Sequence, residues 1–240
     1  SDVYKRQFLL LLFSLLCNGQ SPKLFTTDKE LSSSLINQIY QDRNGFIWIA
    51  TEDGLNRYDG AKFTIYKHEP NNEHSLAHNF VRTVFEDSKG HLLIGTYIGI
   101  QMYDPATDNF TPLAKLEDTG ETLESNINSF IERKNGEIWV SGNVLCKLDI
   151  KDHLLTVRKV DIAVTSPGSL FEDKKQNVWM AKGEEGVYQL TPDNQLTLHL
   201  SKDNGYVKSI CEDQRGNIYV GSIRTVSYTH LRAHETPEHL

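Results

Sequence analysis

Five copies of one pattern, spaced 45, 46, 40 and 40 residues apart, run through most of this chain. The first, INQIYQDRNGFIWIATEDGLNRYDG, begins at Ile36, and VRTVFEDSKGHLLIGTYIGIQMYD begins at Val81. INSFIERKNGEIWVSGNVLCKLD follows from Ile127, PGSLFEDKKQNVWMAKGEEGVYQL from Pro167, and VKSICEDQRGNIYVGS from Val207. A unit this short cannot bury its own apolar face. It must stack on its neighbours, so the period limits the fold to a solenoid or a propeller.

One copy shows which. Residues 81–85 make a short apolar strand, and Asp87-Ser88-Lys89-Gly90 supplies a tight turn with glycine where a positive φ is required. Gly45, Gly136 and Gly216 fill the same slot, and Asn177 is read into it in the Pro167 copy. Further strands are expected over residues 91–95, 99–103 and 110–113, with Asp104-Pro105-Ala106-Thr107-Asp108 as the turn before the last. Four short strands per unit predict an all-β chain, a β-propeller of four-stranded antiparallel blades, incomplete at about five blades over residues 24–224. Trp48, Trp139 and Trp179 recur on the second strand, with Leu93 and Tyr219 in the other copies. A row of tryptophans could stack on sugars, but one per blade is better suited to packing each sheet on the next.

Composition narrows the function. With 240 residues, 38% of them hydrophobic, the chain can build a proper core. Its net charge of −7, without any basic run, disfavours a nucleic-acid partner. Cys17, Cys146 and Cys211 have no metal or CxxC spacing, and the last two read as small buried apolar residues.

Both ends carry signals of their own. FLLLLFSLLCNGQ, residues 8–20, is too short to span a bilayer but has the length of a signal-peptide core. SDVYKRQ, residues 1–7, resembles the translation of a sequencing-library transposon end, and VSYTHLRAHE from Val226 resembles that of the opposite adapter. Residues 1–7 and 225–240 are therefore expected to be adapter translation, and the chain an N-terminal fragment of a longer protein.

The segments IYQDRNGFIWIATEDGLNRYDG and VFEDSKGHLLIGTYIGIQMYDPATDNFT, with the opening LFTTDKELSSSLINQIYQD, resemble the two-component-regulator propeller repeats of bacterial sensors. Later copies depart from the pattern, with Leu148-Asp149 in place of Tyr-Asp. The resemblance implies the periplasmic sensor region of a Bacteroidetes hybrid two-component system: further blades, an immunoglobulin-like domain, a membrane helix, a histidine kinase and a response regulator. It also implies an oligosaccharide ligand, a homodimeric full-length receptor, and contact with the membrane only through that downstream helix. A secreted propeller lyase or glycoside hydrolase is the alternative.

No catalytic pattern stands out. GHLLIG and GEEG lack phosphate-loop spacing, and His74 and His78 in EHSLAHN follow Pro70, Asn71 and Asn72, which argue for a loop rather than a metal-binding helix. The acidic pairs Glu52-Asp53, Glu86-Asp87, Glu172-Asp173 and Glu212-Asp213 follow the repeat, which marks them as turn residues rather than an acid/base pair. No cofactor is expected. Ligand binding is expected at one mouth of the propeller, where the loops entering strand one meet those joining strands two and three. Tyr97 and Tyr206 could stack on a sugar there, and Asn79, Asn126 and Asn143 could hydrogen-bond it.

Overall fold

The structure, a computed structural model, describes residues 24–27, 30–200 and 206–223. The leader over residues 8–20, Cys17 and the two expected adapter translations lie outside the described residues. The first sheet is β1 (Ile36–Gln41), β2 (Ile47–Thr51), β3 (Gly54–Tyr58) and β4 (Phe63–Tyr66). The second is β5 (Val81–Glu86), β6 (Leu92–Thr96), β7 (Ile100–Asp104) and β8 (Asn109–Phe110), followed by a short β9 (Lys115–Leu116). The third holds β10 (Ser129–Glu132), β11 (Ile138–Ser141), β12 (Leu145–Lys151) and β13 (Leu154–Lys159). The fourth holds β14 (Leu170–Glu172), β15 (Val178–Lys182), β16 (Gly186–Leu190) and β17 (Leu196–Leu200). A fifth pairs β18 (Val207–Glu212) with β19 (Ile218–Ser222).

Within each sheet the repeat strands lie in chain order and pair antiparallel, and the first strands of successive sheets lie side by side. This is the stacked-blade arrangement that the repeat predicts, and no helix occurs among the described residues. Two details differ from the sequence reading. The fourth strand of blade 2 is only Asn109–Phe110, because Pro112 has no N–H to offer a ladder and the Thr111 hydroxyl accepts the Met102 N–H instead, at 3.0 Å. The connector after it supplies β9, which adds parallel to β13 as a fifth strand of the third sheet.

Four apolar clusters lie between successive sheets. Trp48 packs with Val81, Val84 and Ile94 of blade 2, and Leu93 with Ile127, Phe130 and Val140 of blade 3. Trp139 packs with Leu170 and Met180 of blade 4, and Trp179 with Val207, Ile218 and Val220 of blade 5. The recurring aromatic position is thus inter-blade core. A buried indole removes about 150–250 Å² from water, on the order of 4–6 kcal/mol of burial each. Cys146 is buried as expected, whereas Cys211 is exposed, because no sheet among the described residues covers that face of β18.

The turn between strands one and two is built by one carboxylate. Asp173 Oδ1 accepts the N–H groups of Lys175 (2.9 Å) and Asn177 (2.8 Å), while Oδ2 accepts the Trp179 indole N–H at 2.9 Å. Asp42 does the same for Asn44, Phe46 and Trp48. Asp87 and Asp213 close equivalent turns. Blade 3 has Arg133 in this slot, and Glu137 accepts the Trp139 indole N–H instead, at 3.0 Å, while the Arg133 guanidinium stacks 4.7 Å from the ring. The positive-φ residue of the turn is glycine in four copies; in blade 4 it is Gln176 (φ 68), not Asn177. Asn177 is one residue later and donates its side-chain amide to Asp173 at 2.7 Å.

The glutamate before that aspartate ties one blade to the preceding one. Glu86 accepts the Arg43 N–H and Nε at 2.8 and 2.6 Å, and Glu132 accepts the Ser88 N–H at 2.6 Å. Glu172 accepts the Arg133 Nε and the Lys134 N–H, and Glu212 accepts the Lys174 N–H. So three of the four acidic pairs are turn and latch residues. Glu52-Asp53 occupies a different slot, between β2 and β3, where Asp53 pairs with Lys67 at 2.7 Å.

Candidate ligand-binding site

The first strand of every sheet is an edge, and an edge strand presents N–H and C=O groups with no ladder partner. Numbering each repeat from Ile36, Val81, Ile127, Pro167 and Val207, side chains at positions 2 and 3 reach the edge of the next blade. Asn37 Nδ2 donates to the Val81 carbonyl at 2.8 Å, and Asn128 Nδ2 to that of Pro167 at 3.0 Å. Gln38 Oε1 accepts the Val84 N–H at 2.7 Å, and the Ser169 hydroxyl donates to the Lys208 carbonyl. These bonds give the line of first strands a polar lining.

Position 2 is also where the ladder is interrupted. β1 and β2 pair Ile36 with Thr51 and Gln38 with Ala50, leaving Asn37 as the extra residue of a bulge. Arg82 and Lys208 occupy the same place in β5 and β18. All five position-2 residues, Asn37, Arg82, Asn128, Gly168 and Lys208, line one cavity of about 260 Å³. Ser166, Ser169, Gly183, Tyr206 and Val207 complete its wall. Among these lining residues there is no carboxylate and no histidine.

Two position-2 residues are not spent on the neighbouring blade. Arg82 stacks on Phe80, 5.5 Å from its ring centre, and its Nε is buried with no hydrogen-bond acceptor among the described residues. Lys208 holds its ammonium 4.9 Å from the Tyr206 ring, and neither cation pairs with a carboxylate among the described residues.

Of the residues picked from sequence, only Tyr206, 43% exposed, lines the cavity. Tyr97 is 53% exposed, with its ring against His78 and Phe80. The side chain of Asn79 is used locally, accepting the His68 N–H at 2.7 Å and donating to Asp53 at 3.1 Å. Asn126 Oδ1 is buried without a donor, and the exposed Asn143 offers its carbonyl to the Ser166 N–H at 3.0 Å. Sequence reasoning passed over Asn37, Arg82, Asn128 and Lys208. The signal was present: position 2 is polar or glycine in all five copies, directly after a residue that is Ile, Val or Pro.

Other chemistry-bearing clusters have structural partners. Asp108 accepts hydrogen bonds from the Tyr66 and Tyr103 hydroxyls at 2.6 Å each and pairs with Arg57 at 2.9 Å. Burial pushes the Tyr66 phenol far above its ordinary range, with the Asp108 bond adding to it, so it is no ready nucleophile. A cleft of about 480 Å³ beside Trp139 is rich in cations, but Arg133 is paired with Glu172 and Lys147 with Glu137. The loop histidines are bonded to backbone, His74 Nδ1 with the Phe110 carbonyl and His78 Nδ1 with the Phe80 N–H. No group of acids, histidines and cysteines among the described residues is arranged to hold a metal ion.

Four-stranded antiparallel sheets stacked in chain order define a β-propeller, and all five blades contribute residues to the cavity. Residues 30–53, 75–97 and 201–224 match the family described as two component regulator propeller. The matched segments fall on the first two strands of blades 1, 2 and 5; blades 3 and 4 are those with Arg133 and Gln176 at the turn positions. Over 77 residues the chain is 38% identical to Histidine kinase P4 of Formosa agariphila, an alignment covering 29% of this chain and 6% of that protein. Among solved structures it is similar to the extracellular domain assigned to a hybrid two component system of B. thetaiotaomicron, with TM-score 0.68 and 18% identity. That likeness covers 85% of this chain and 31% of the other. Virginiamycin B lyase of Staphylococcus aureus shares the fold at TM-score 0.60 and 14% identity, over 82% of this chain and 65% of that one. The chain thus spans under a third of the length of the sensor proteins it matches.

Proposed function

We propose that this chain is part of the extracytoplasmic sensing propeller of a hybrid two-component system, and that it binds an oligosaccharide at the cavity built by position 2. The observation that carries this reading is a coincidence of two maps. The strand pairs that match the regulator-propeller family contribute Asn37, Arg82 and Lys208 to the one cavity that the position-2 residues of all five blades line. Its wall offers amides, hydroxyls and one half-exposed aromatic ring, groups suited to holding a sugar. It offers no acid–base pair of the kind that glycosidic cleavage needs. Because every blade contributes, a ligand there bridges blades and favours one relative arrangement of them over another, which is the physical requirement for a signal.

Calorimetric titration of the chain with an oligosaccharide panel tests this, together with an assay for new reducing ends. Saturable binding of an oligosaccharide that weakens in Tyr206→Ala, without turnover, is the expected result. Release of reducing ends would replace the sensor reading with that of a glycan-cleaving enzyme, and a panel without any binder would overturn it.

A further inference from the structure

Resting on that glycan-binding reading, we infer that the ligand is an anionic oligosaccharide, carrying uronate carboxylates or sulfate esters, and that Arg82 and Lys208 are the residues that select it. The chain carries a net charge of −7, yet among the described residues the only charged side chains lining the cavity are these two cations. A neutral sugar would be served by the amides and hydroxyls that the other position-2 and position-3 residues already supply. Asn37 and Asn128 at position 2 link blades, as do Gln38 and Ser169 at position 3. Arg82 makes no such link.

The state of Arg82 points the same way. A buried guanidinium N–H without an acceptor is a cost that native proteins rarely carry without a use. Arg82 lies over the Phe80 ring, and a guanidinium offers a fork of N–H donors that suits a planar two-oxygen acceptor. Lys208, set against the Tyr206 ring, puts a second cation beside the aromatic surface on which a pyranose can stack. Sugar ring and acidic substituent would therefore be read by groups of one cavity: Tyr206 for the first, Lys208 and Arg82 for the second.

The test is titration of the whole chain with tetragalacturonate and a sulfated galactan tetrasaccharide, each beside its neutral counterpart, the methyl ester and the desulfated form. Maltotetraose, galacturonate monomer and sodium sulfate complete the set. We expect at least one anionic tetrasaccharide to bind about tenfold or more tightly than its neutral counterpart. That preference should shrink as NaCl rises from about 50 to 300 mM. Arg82→Gln should remove most of it, Arg82→Lys should keep part of it, and Lys208→Gln, at an exposed position that does not bear on folding, should reduce it as well. Equal binding of charged and neutral forms, or an unchanged preference in Lys208→Gln and in folded Arg82→Gln, would overturn the inference. So would monomer or sulfate binding as tightly as the tetrasaccharides, which would mark a small-anion site. Binding of neutral tetrasaccharides alone would overturn the inference and leave the glycan-sensing reading intact, whereas failure of every oligosaccharide would remove both.

Discussion

Replacing Asp173 by alanine isolates the carboxylate that builds the blade-4 turn. The side chain is 2% exposed and accepts four hydrogen bonds: from the Lys175 and Asn177 N–H groups, from Asn177 Nδ2 at 2.7 Å, and from the fully buried Trp179 indole. Alanine removes all four acceptor contacts at once. A buried donor left without a partner costs about 1–3 kcal/mol, and hydrogen bonds to a charged group contribute about 1.5–3 kcal/mol. The indole cannot turn to water, because it is locked between blades 4 and 5, whereas the backbone N–H groups at the turn can recover part of their loss by hydration. A destabilisation of about 3–5 kcal/mol follows, or about 6–20 °C in Tm for a chain of this size.

Urea unfolding followed by tryptophan fluorescence would measure it, with two comparisons built into the repeat. Asp173→Asn preserves shape but turns an amide N–H toward donors, so it should recover little of the loss. Asp213→Ala removes the same turn carboxylate where its aromatic partner is Tyr219, whose hydroxyl is half-exposed and 3.2 Å away, and should lose clearly less. If Asp173→Ala lies within about 1 kcal/mol of the parent, or Asp213→Ala costs as much, the reasoning about the orphaned indole is wrong.

The inter-blade latch predicts that Glu172→Gln loses about 1–3 kcal/mol, and that a double-mutant cycle with Arg133→Ala shows coupling above about 0.5 kcal/mol; purely additive losses would refute it. Two glycines with positive φ should respond differently to alanine. At Gly45 the added methyl meets open space and should cost about 1 kcal/mol, whereas at Gly186 it would lie 1.6 Å from the Leu200 carbonyl oxygen and should prevent blade 4 from closing, as read by chemical denaturation of both variants. The Lys147 ammonium, with the Trp139 indole and Asn135, holds the Glu137 carboxyl down at about 2, against an ordinary 4.5, outweighing burial that would raise it. A depressed acid stabilises the fold above its unfolded value, so stability should fall between about pH 4.5 and 2, and Glu137→Gln should flatten that part of the acid limb in a Tm-against-pH profile.

How much of this was legible in the sequence follows from where each interaction is made. Turns are local: Asp87, Gly90 and their counterparts sit within a few residues of the groups they bond, so spacing alone locates them. The core tryptophans were legible because the period repeats them. Two local details escaped, the left-handed Gln176 and the side-chain substitute for a strand at Thr111, because each depends on a substitution in a single copy. The site was harder to find. Asn79 looks like a sugar ligand in the sequence and proves to close its own loop with His68 and Asp53, a contact set by folding across 11 and 26 residues.

Position 2 shows why repetition both hides and reveals a site. Where it is asparagine its side chain meets the next blade's edge carbonyl, a partner that exists only once the blades are stacked, so no strand-level pattern gives its role. In Asn37 and Asn128 the residue closes the edge of the neighbouring sheet, and changing it costs a link. In Arg82 the link is given up, leaving a stacked cation whose buried Nε finds no acceptor among the described residues. Blades 2 and 3 remain joined through their apolar cluster and the Ser88–Glu132 latch, so stacking tolerates the loss. A position that every blade presents to one cavity, and that the fold can release from structural duty, is where a propeller can vary its chemistry without unmaking itself. That is the physical case for placing recognition at Arg82 and Lys208 rather than at the loop asparagines.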